Sequence, residues 1–587
     1  MKHLRTILWA SLALAAMLNF QMWMRDYGPR DAAAAAAAAK VAESEKVTNP
    51  LAANVPMAAV PAAQPAPGAA PATTAATPPP VAGDVPVVTA PAVAATPQTS
   101  AAAGTILNVR TDVLDVDVNV RGGELQRADL LNYPVVKGQP APVRLLRNHG
   151  TGDQYLLQTG LAGAGSVAPA ESFPTHLANY TSEYAGFRMD SSIDELRVPL
   201  KWTSPEGVEV TKTLIFKRGS YRIDVEYAIK NPTAAPWSVA AYAQILHDRP
   251  AIKRSYFNVD SYSFTGPAYW DGTKYDKLKI TSKEDAGLNR DVAGGWLASL
   301  EHHFVVAVAP ARDETHHFSL RVRGDEYLET DVGPAVTIAA GSSGLIKQTL
   351  FIGPKLQAQL EPIHPELGRA ADFGILTFLS RPLFWLLEQA HKIFGNWGMA
   401  IIAITFLLKL VFYPLSEASG RSMAKMKLVA PRLKQLQETY KDDRAKLGSA
   451  TMELYKKEKI NPASGCLPML IQMPVFLAFY WILLESVEMR QAPFFGWIQD
   501  LSVRDPFYIL PLIMAAAMFL QYKLSPTPAD PIQAKVMMIM PLVMSVTFAF
   551  FPAGLVLYWV TNTCLTILQQ WNINRRIEAA SAVSSRN

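Results

Sequence analysis

The sequence predicts a multi-domain membrane protein: an α-helical transmembrane bundle of six spans with a five-helix core, joined to a large antiparallel β-sandwich. Three observations carry this prediction. Long apolar stretches occupy the first 25 residues and the region from Phe373 onward. Between Ile106 and Gly353 apolar residues instead alternate with polar ones, the period of half-buried strands. Mean hydropathy is +0.09 and only 18% of the 587 residues are charged. A soluble domain carries roughly 25% charge, so these values read as an average over unlike parts. Cys466 and Cys564 both lie in apolar runs, which excludes a disulfide-stapled fold. The net charge of +5 is small for a dedicated nucleic-acid binder.

The first element, residues 1–25, is an N-terminal signal anchor. An apolar run from Ile7 to Met24 follows Lys2 and Arg5 and approaches the length of a spanning helix. No small-x-small cleavage site follows the run directly, so the anchor is read as retained. Residues 26–104 are rich in Ala and Pro, and Asp84 is the only charge between Val47 and Val109. So few large side chains cannot offset the entropy of ordering, which predicts a flexible linker.

Residues 105–370 form the β-sandwich. Val116, Val118 and Val120 alternate with Asp115, Asp117 and Asn119, and Tyr221 to Ile229 alternate likewise. Turn signals such as Arg121-Gly122-Gly123 and Gly341-Ser342-Ser343-Gly344 separate the strands. Residues 371–396 hold an amphipathic stretch, Arg381–Phe394, too short to span and suited to the membrane interface. Residues 397–576 form the core, with spans expected at 397–415, 467–486, 507–522, 536–551 and 554–571. Phe551-Pro552-Ala553-Gly554 makes the hairpin between the last two. A cytoplasmic helical hairpin at 418–462 has arms Ser422–Tyr440 and Asp443–Lys459. Asp442 or Asp443 is its expected N-cap, and Pro431 is expected to kink or interrupt the first arm. Residues 577–587 form the tail.

Orientation follows from charge. The loop Ser416–Gly465 holds eleven Lys/Arg against six Asp/Glu. By the positive-inside rule it faces the cytoplasm with both termini, leaving the β-domain outside. A basic hairpin there can meet anionic lipid, ribosomal RNA or an incoming chain. Within the spans, Lys409 is the costliest residue, since a mid-bilayer charge costs about 2.5–3.5 kcal/mol. Thr405 lies one turn before it on the same face. Gln472 shares a face with Phe476, and Tyr558 with Asn562, with Thr561, Thr563 and Thr566 close by. Pro474, Pro511 and Pro541 are expected to break three spans. These residues predict bent helices around a polar interior.

Several motifs occur in order: Thr405-Phe-Leu-Leu-Lys409, Tyr413-Pro414-Leu415, Ser422-Met423-Ala424-Lys425-Met426, Tyr455 to Pro462, Gly465-Cys466-Leu467-Pro468, Ile471-Gln472-Met473-Pro474, Val487 to Pro493, Asp505 to Pro511, and Phe551-Pro552-Ala553-Gly554-Leu555. In them the chain resembles the YidC/Oxa/Alb family of membrane protein insertases, in the Gram-negative form with a large periplasmic domain. The resemblance implies a multi-pass inner-membrane insertase and chaperone with both termini cytoplasmic. A hydrophilic groove, open to cytoplasm and lipid, would be lined by Lys409, Thr405, Gln472 and Asn562. Lysine stands where the family usually has arginine, keeping the charge but losing the planar fork. The implied substrate-contacting residues are Met473, Phe476, Tyr558 and Trp559. The implied partners are newly made membrane proteins, membrane lipids, the Sec translocon and, through the hairpin and tail, the ribosome.

No catalytic residue, cofactor or metal is expected, and no nucleotide-binding G-x-x-x-x-G-K-[ST] occurs. The alternative is a polar-solute channel or transporter, which the lack of an internal repeat and of paired intramembrane acids disfavours. A third reading puts an enzyme site in the β-domain at His302-His303 and His316-His317. Neighbours on a strand point to opposite faces, so neither pair is expected to share a metal.

Overall fold

The computed structural model describes residues 54–56, 105–150, 153–164, 172–248, 263–440, 443–458, 460, 467–524 and 531–584. The expected N-terminal anchor, most of the linker and the last residues of the tail lie outside this set. The described residues divide into two compact units, the first running to Ala370 and the second from Ala371, with Ser263 grouped with the second.

The first unit is built from two sheets. Its strands are β1 (Ile106–Arg110), β2 (Leu114–Asn119), β3 (Glu124–Pro134), β4 (Pro142–Asn148), β5 (Gln154–Gly163), β6 (Gly186–Arg188), β7 (Glu195–Thr203), β8 (Glu209–Lys217) and β9 (Arg222–Lys230). They continue with β10 (Trp237–Asp248), β11 (Gly266–Trp270), β12 (Tyr275–Lys277), β13 (Asn289–Ala293), β14 (Trp296–Leu300), β15 (Phe304–Val308), β16 (Thr315–Arg323), β17 (Glu326–Ile338) and β18 (Ser343–Pro354). A ten-stranded sheet runs β13-β16-β17-β10-β5-β4-β3-β2-β1-β6, and an eight-stranded sheet runs β12-β11-β14-β15-β18-β9-β8-β7. The pairings are antiparallel except β1 with β6. Alternation decides which side chains enter the core: Val116, Val118, Ile223, Val225 and Tyr227 are all fully buried. The β2–β3 turn needs left-handed backbone at Gly122 (φ 77°) and Gly123 (φ 57°), which glycine adopts without strain.

The Lys212 side chain is fully enclosed. Lys212 on β8 donates to the carbonyl oxygens of Gly122 (2.8 Å), Gly123 (3.1 Å) and, on β5 of the opposite sheet, Thr159 (2.9 Å). Three carbonyls match the three protons of an ammonium, while burial pushes its pKa down to about 7. The histidine pairs differ from one another. His316 and His317 on β16 diverge as expected, His316 bonding Asp331 and Glu314 while His317 bonds Asp291 and Asn289. His302 and His303 instead stack at 3.8 Å, because they lie in the bend between β14 and β15 rather than on a strand, so strand alternation does not apply to them. Among the described residues no group of three or more His, Cys, Asp or Glu could hold a metal ion.

A short helical turn, α1 (Gln357–Leu360), closes the first unit. The second unit is helical: α2 (Thr377–Phe394), α3 (Trp397–Val411), α4 (Tyr413–Thr439), α5 (Arg444–Lys457), α6 (Leu467–Glu485), α7 (Ile509–Leu524), α8 (Pro531–Phe548) and α9 (Ala553–Ser584). Helix α2 buries Leu383, Phe384, Leu387 and Ala390 while Phe378, Trp385 and Ile393 stay exposed. Gly395 ends it with φ 64°, and the Asn396 side chain then caps α3 by accepting from Met399 N. The stretch read as amphipathic from Arg381 thus starts four residues earlier.

The segment 397–415 is not one straight helix. It breaks at Phe412 and continues as α4, bent by 66°. Pro414 cannot donate a backbone hydrogen bond and its ring crowds the preceding turn, so the helix restarts with proline in its first turn. Lys409 therefore stands two residues from the end of α3. None of the four prolines ends the helix that holds it. Helices α4, α6 and α8 run through Pro431, Pro474 and Pro541. Pro511 sits in the first turn of α7, where no helical partner for its missing N–H exists. Asp443 caps α5 as expected, accepting from Ala445 N and Lys446 N.

Among the described residues no single helix is long and apolar enough to cross a membrane, though the bent pair of α3 and the start of α4 passes together. The apolar parts Leu470–Glu485, Ile509–Leu524 and Lys535–Phe548 are shorter than the roughly 20 residues of a full crossing. Their surfaces are nonetheless oily. Leu410, Val411, Leu512, Leu542 and Val546 are exposed, as is the unbroken run Val536–Met540. Apolar surface this continuous is typical of membrane or partner contact.

Candidate functional site: a polar stripe in the helical bundle

The stripe lies along α9. Tyr558, Asn562 and Thr566 recur every four residues and share one face, spanning about 12 Å at 1.5 Å per residue. At its upper end Tyr558 is fully buried, stacked on Phe479 with ring centroids 4.5 Å apart. Its hydroxyl accepts from Gln472 Nε2 on α6. At its lower end Lys409 Nζ donates to Thr566 Oγ1 at 2.8 Å, and that hydroxyl donates to Asn562 O at 2.7 Å. Between them Asn562 Oδ1 is buried without a hydrogen-bond partner.

Lys409 reaches across from α3 to α9. Its ammonium has three donors, and Thr566 is its one partner among the described residues. Its two other donors have no partner among the described residues, and neither has the buried Asn562 Oδ1. Thr405 is differently placed from expectation: it is buried, and its hydroxyl donates to Ile401 O of its own helix at 2.6 Å. That back-bond satisfies its donor locally, and burial keeps the hydroxyl from the surface.

The four residues expected to touch substrate divide. Phe476, Tyr558 and Trp559 pack together with Phe548, Trp559 edge-on to Phe476 at 5.0 Å. Met473, one turn before Phe476 on α6, is instead exposed. Tyr558, enclosed on all sides, is the hub joining α6 to α9. Thr566 was visible in the sequence only as one of several neighbouring threonines; its link to Lys409 needed the packing of α9 on α3. Further along α9, Gln569 Nε2 and Asn574 Nδ2 are also buried and unpartnered. Gln569 falls inside the expected span 554–571, and Asn574 lies beyond its expected end.

The end of the bundle above Tyr558 is closed. Ala553 N donates to Val503 O (2.7 Å) and Gly554 N to Leu501 O (3.0 Å), so the turn Phe551-Pro552-Ala553-Gly554 lies against the 487–505 loop. That loop buries Met489, Ile498 and Leu501. Asp505, buried, accepts from Trp497 Nε1 (3.0 Å), Phe507 N (3.0 Å) and Leu510 N (2.7 Å), fixing the entry to α7. In the same loop burial, reinforced by the charge of Glu388, pushes the Glu488 carboxyl up to about 7. Thr566 lies thirteen residues beyond Ala553, about 20 Å along α9 from this closed end.

Two family models match the chain: the 60Kd inner membrane protein over residues 389–580 and the YidC periplasmic domain over residues 106–386. Among curated relatives, the membrane protein insertase YidC of Thioalkalivibrio sulfidiphilus is 45% identical, covering 99% of each chain. That of Azotobacter vinelandii is 42% identical, again covering 99% of each. The chain belongs to the YidC family. The match also covers a solved structure described as an active YidC insertase with its first transmembrane domain resolved, 18% identical, spanning 81% of this chain and 94% of that one at a TM-score of 0.36. The family's insertase character sets aside the enzyme reading and disfavours the channel reading of the stripe.

Proposed function

We propose that this protein is an inner-membrane insertase and chaperone, and that the stripe of Lys409, Thr566, Asn562 and Gln472 is the polar wall of its groove. The carrying observation is the Lys409 ammonium, held inside the bundle by one hydroxyl with two donors unmatched among the described residues, about 20 Å from a closed end. A polar flank of a client entering from the open side finds hydrogen-bond donors there instead of hydrocarbon, which lowers the heavy desolvation cost of crossing. Met473 on the exposed face of α6, with Phe476 and Trp559 beside it, would receive the client's apolar segment.

The drive comes from the client. Its hydrophobic helix gains about 25 cal/mol per Å² on leaving water. A membrane potential positive outside favours export of acidic tails by about 2.3 kcal/mol per charge per 100 mV. The short apolar helices fit a locally thinned bilayer, which shortens the distance a polar flank crosses. In this reading the five core helices and the N-terminal anchor give six spans, both termini face the cytoplasm, and the β-domain is periplasmic. The basic hairpin α4–α5 and the tail would meet the ribosome, and the bundle would also work beside the Sec translocon.

The test is reconstitution in liposomes with a small single-span client, scored by protection of its translocated tail from added protease. Protection only when the protein is present is the expected result. Equal protection in empty liposomes would sink the proposal.

A further inference from the structure

Within the Ala/Pro-rich stretch, Asn54-Val55-Pro56 is seated on the β-domain. Val55 packs against Ala162 of β5, Ala240 and Tyr242 of β10, and Val332 of β17, with Ala164 alongside. Three adjacent strands of the ten-stranded sheet thus supply its floor. Pro56 is itself buried. Arg321 on β16 donates through Nη1 to Asn54 Oδ1. Two small side chains make the depression, Tyr242 walls it, and an arginine on the rim reads the polar residue before the valine.

The peptide is suited to such a seat. Proline fixes its own φ and holds the residue before it extended, so Val55 loses little freedom on docking, as in other proline-based recognition. Elsewhere between Val47 and Val109 the chain is mostly Ala and Pro, offering little else to anchor. Because the site and the peptide belong to one chain, a contact of three residues works at the high effective concentration of an intramolecular partner.

We infer that the β-domain carries a docking site for the chain's own tether, and that Asn54-Val55-Pro56 is its occupant. Docking shortens the link between the N-terminal segment and the domain. About 80 residues separate Arg25 from Thr105, but only 29 separate Arg25 from Asn54. At roughly 3.5 Å per residue the greatest reach falls from about 280 Å to about 100 Å. The clamp therefore sets how far the domain can stray from the start of the tether. The pattern recurs in the tether as Asp84-Val85-Pro86, a natural control for the choice of occupant.

The experiment labels single cysteines with a maleimide in the full-length protein, with Cys466 and Cys564 replaced by serine. Val55→Cys is expected to react about tenfold slower than Ala70→Cys, as a docked site opening only transiently. Adding Arg321→Ala should bring the V55C rate close to that of A70C; Arg321 is exposed, so the fold survives the change. Equal rates for V55C and A70C, a slow V55C rate that ignores Arg321→Ala, or slow reaction of Val85→Cys in its place would each overturn the inference.

Discussion

Lys212 in the β-domain and Lys409 in the bundle both stand in low-dielectric surroundings, and they are matched differently. Lys212 in the β-domain is fully buried, and each of its protons meets a carbonyl oxygen, one of them on the opposite sheet. Lys409 in the bundle is half-buried and meets one hydroxyl. A buried cation whose donors are all satisfied acts as a rivet, and the local structure closes around it. A cation with donors left over keeps the capacity to bind something that is not part of the chain. The count of matched protons is therefore the property in which the two lysines differ.

The largest effect that would break this comparison is at Lys409. Lys409→Glu should lower insertion of an acidic-tailed client about tenfold or more, since it replaces attraction by repulsion inside the groove. It should leave thermal stability nearly unchanged. Lys409→Arg should retain insertion, the charge being kept. Protease protection of acidic-tailed and neutral-tailed clients, measured in parallel, reads the difference; equal loss for both tails would make Lys409 structural after all.

Lys212 should behave the opposite way. Lys212→Ala removes a buried stem and orphans three carbonyls, so the β-domain should lose about 3–5 kcal/mol while any surviving folded protein inserts normally. A milder variant tests the charge. With a folded pKa near 7 against about 10.4 when unfolded, the folded lysine holds fewer protons than the unfolded one between those values. Unfolding there takes up a proton, so stability rises as pH climbs from about 7 to about 10 and is flat below 7. Lys212→Met should abolish that slope in the β-domain's melting transition. A slope that persists in the variant would show that other groups set it.

How much of this could be read beforehand differs between the two lysines. Lys409 was legible because a charge inside an apolar run is conspicuous. Lys212 was not, because in β8 it falls among alternating residues and Thr211 and Thr213 flank it; only the placement of the β2–β3 turn opposite shows it is enclosed. The strands themselves were legible from period two, as the burial of Val116, Val118 and Ile223 illustrates. The break at Phe412 was less so: Pro414 was in view, but apolarity alone runs smoothly past it. The seat of Asn54-Val55-Pro56 was invisible, since a tripeptide in an Ala/Pro tether has no period and its partners come from strands more than a hundred residues away.

A smaller effect sharpens the groove reading. Thr566 accepts from Lys409 and donates to Asn562 O, so it positions the ammonium without being expected to touch the client. Thr566→Val keeps the shape and removes one hydrogen bond, worth about 0.5–1.5 kcal/mol, so acidic-tailed insertion should drop about three- to tenfold. Thr566→Ser should restore it. Parallel loss for neutral tails would place the effect in helix packing.

The last expected change is in stability alone, at a buried carboxyl group that parallels Lys212. Asp505 accepts from Trp497 Nε1, Phe507 N and Leu510 N, through both of its oxygens. Asp505→Asn keeps the shape but turns one acceptor into a donor, so at least one of these N–H groups faces another donor. The cost should be about 1–2 kcal/mol, seen as a lower melting temperature of the helical unit. Because both oxygens of Asp505 are engaged by N–H groups of its own loop and the start of α7, client insertion below the melting temperature should not change. If insertion fell while stability held, matching of partners would no longer distinguish structural charges from functional ones, and the comparison between Lys212 and Lys409 would lose its basis.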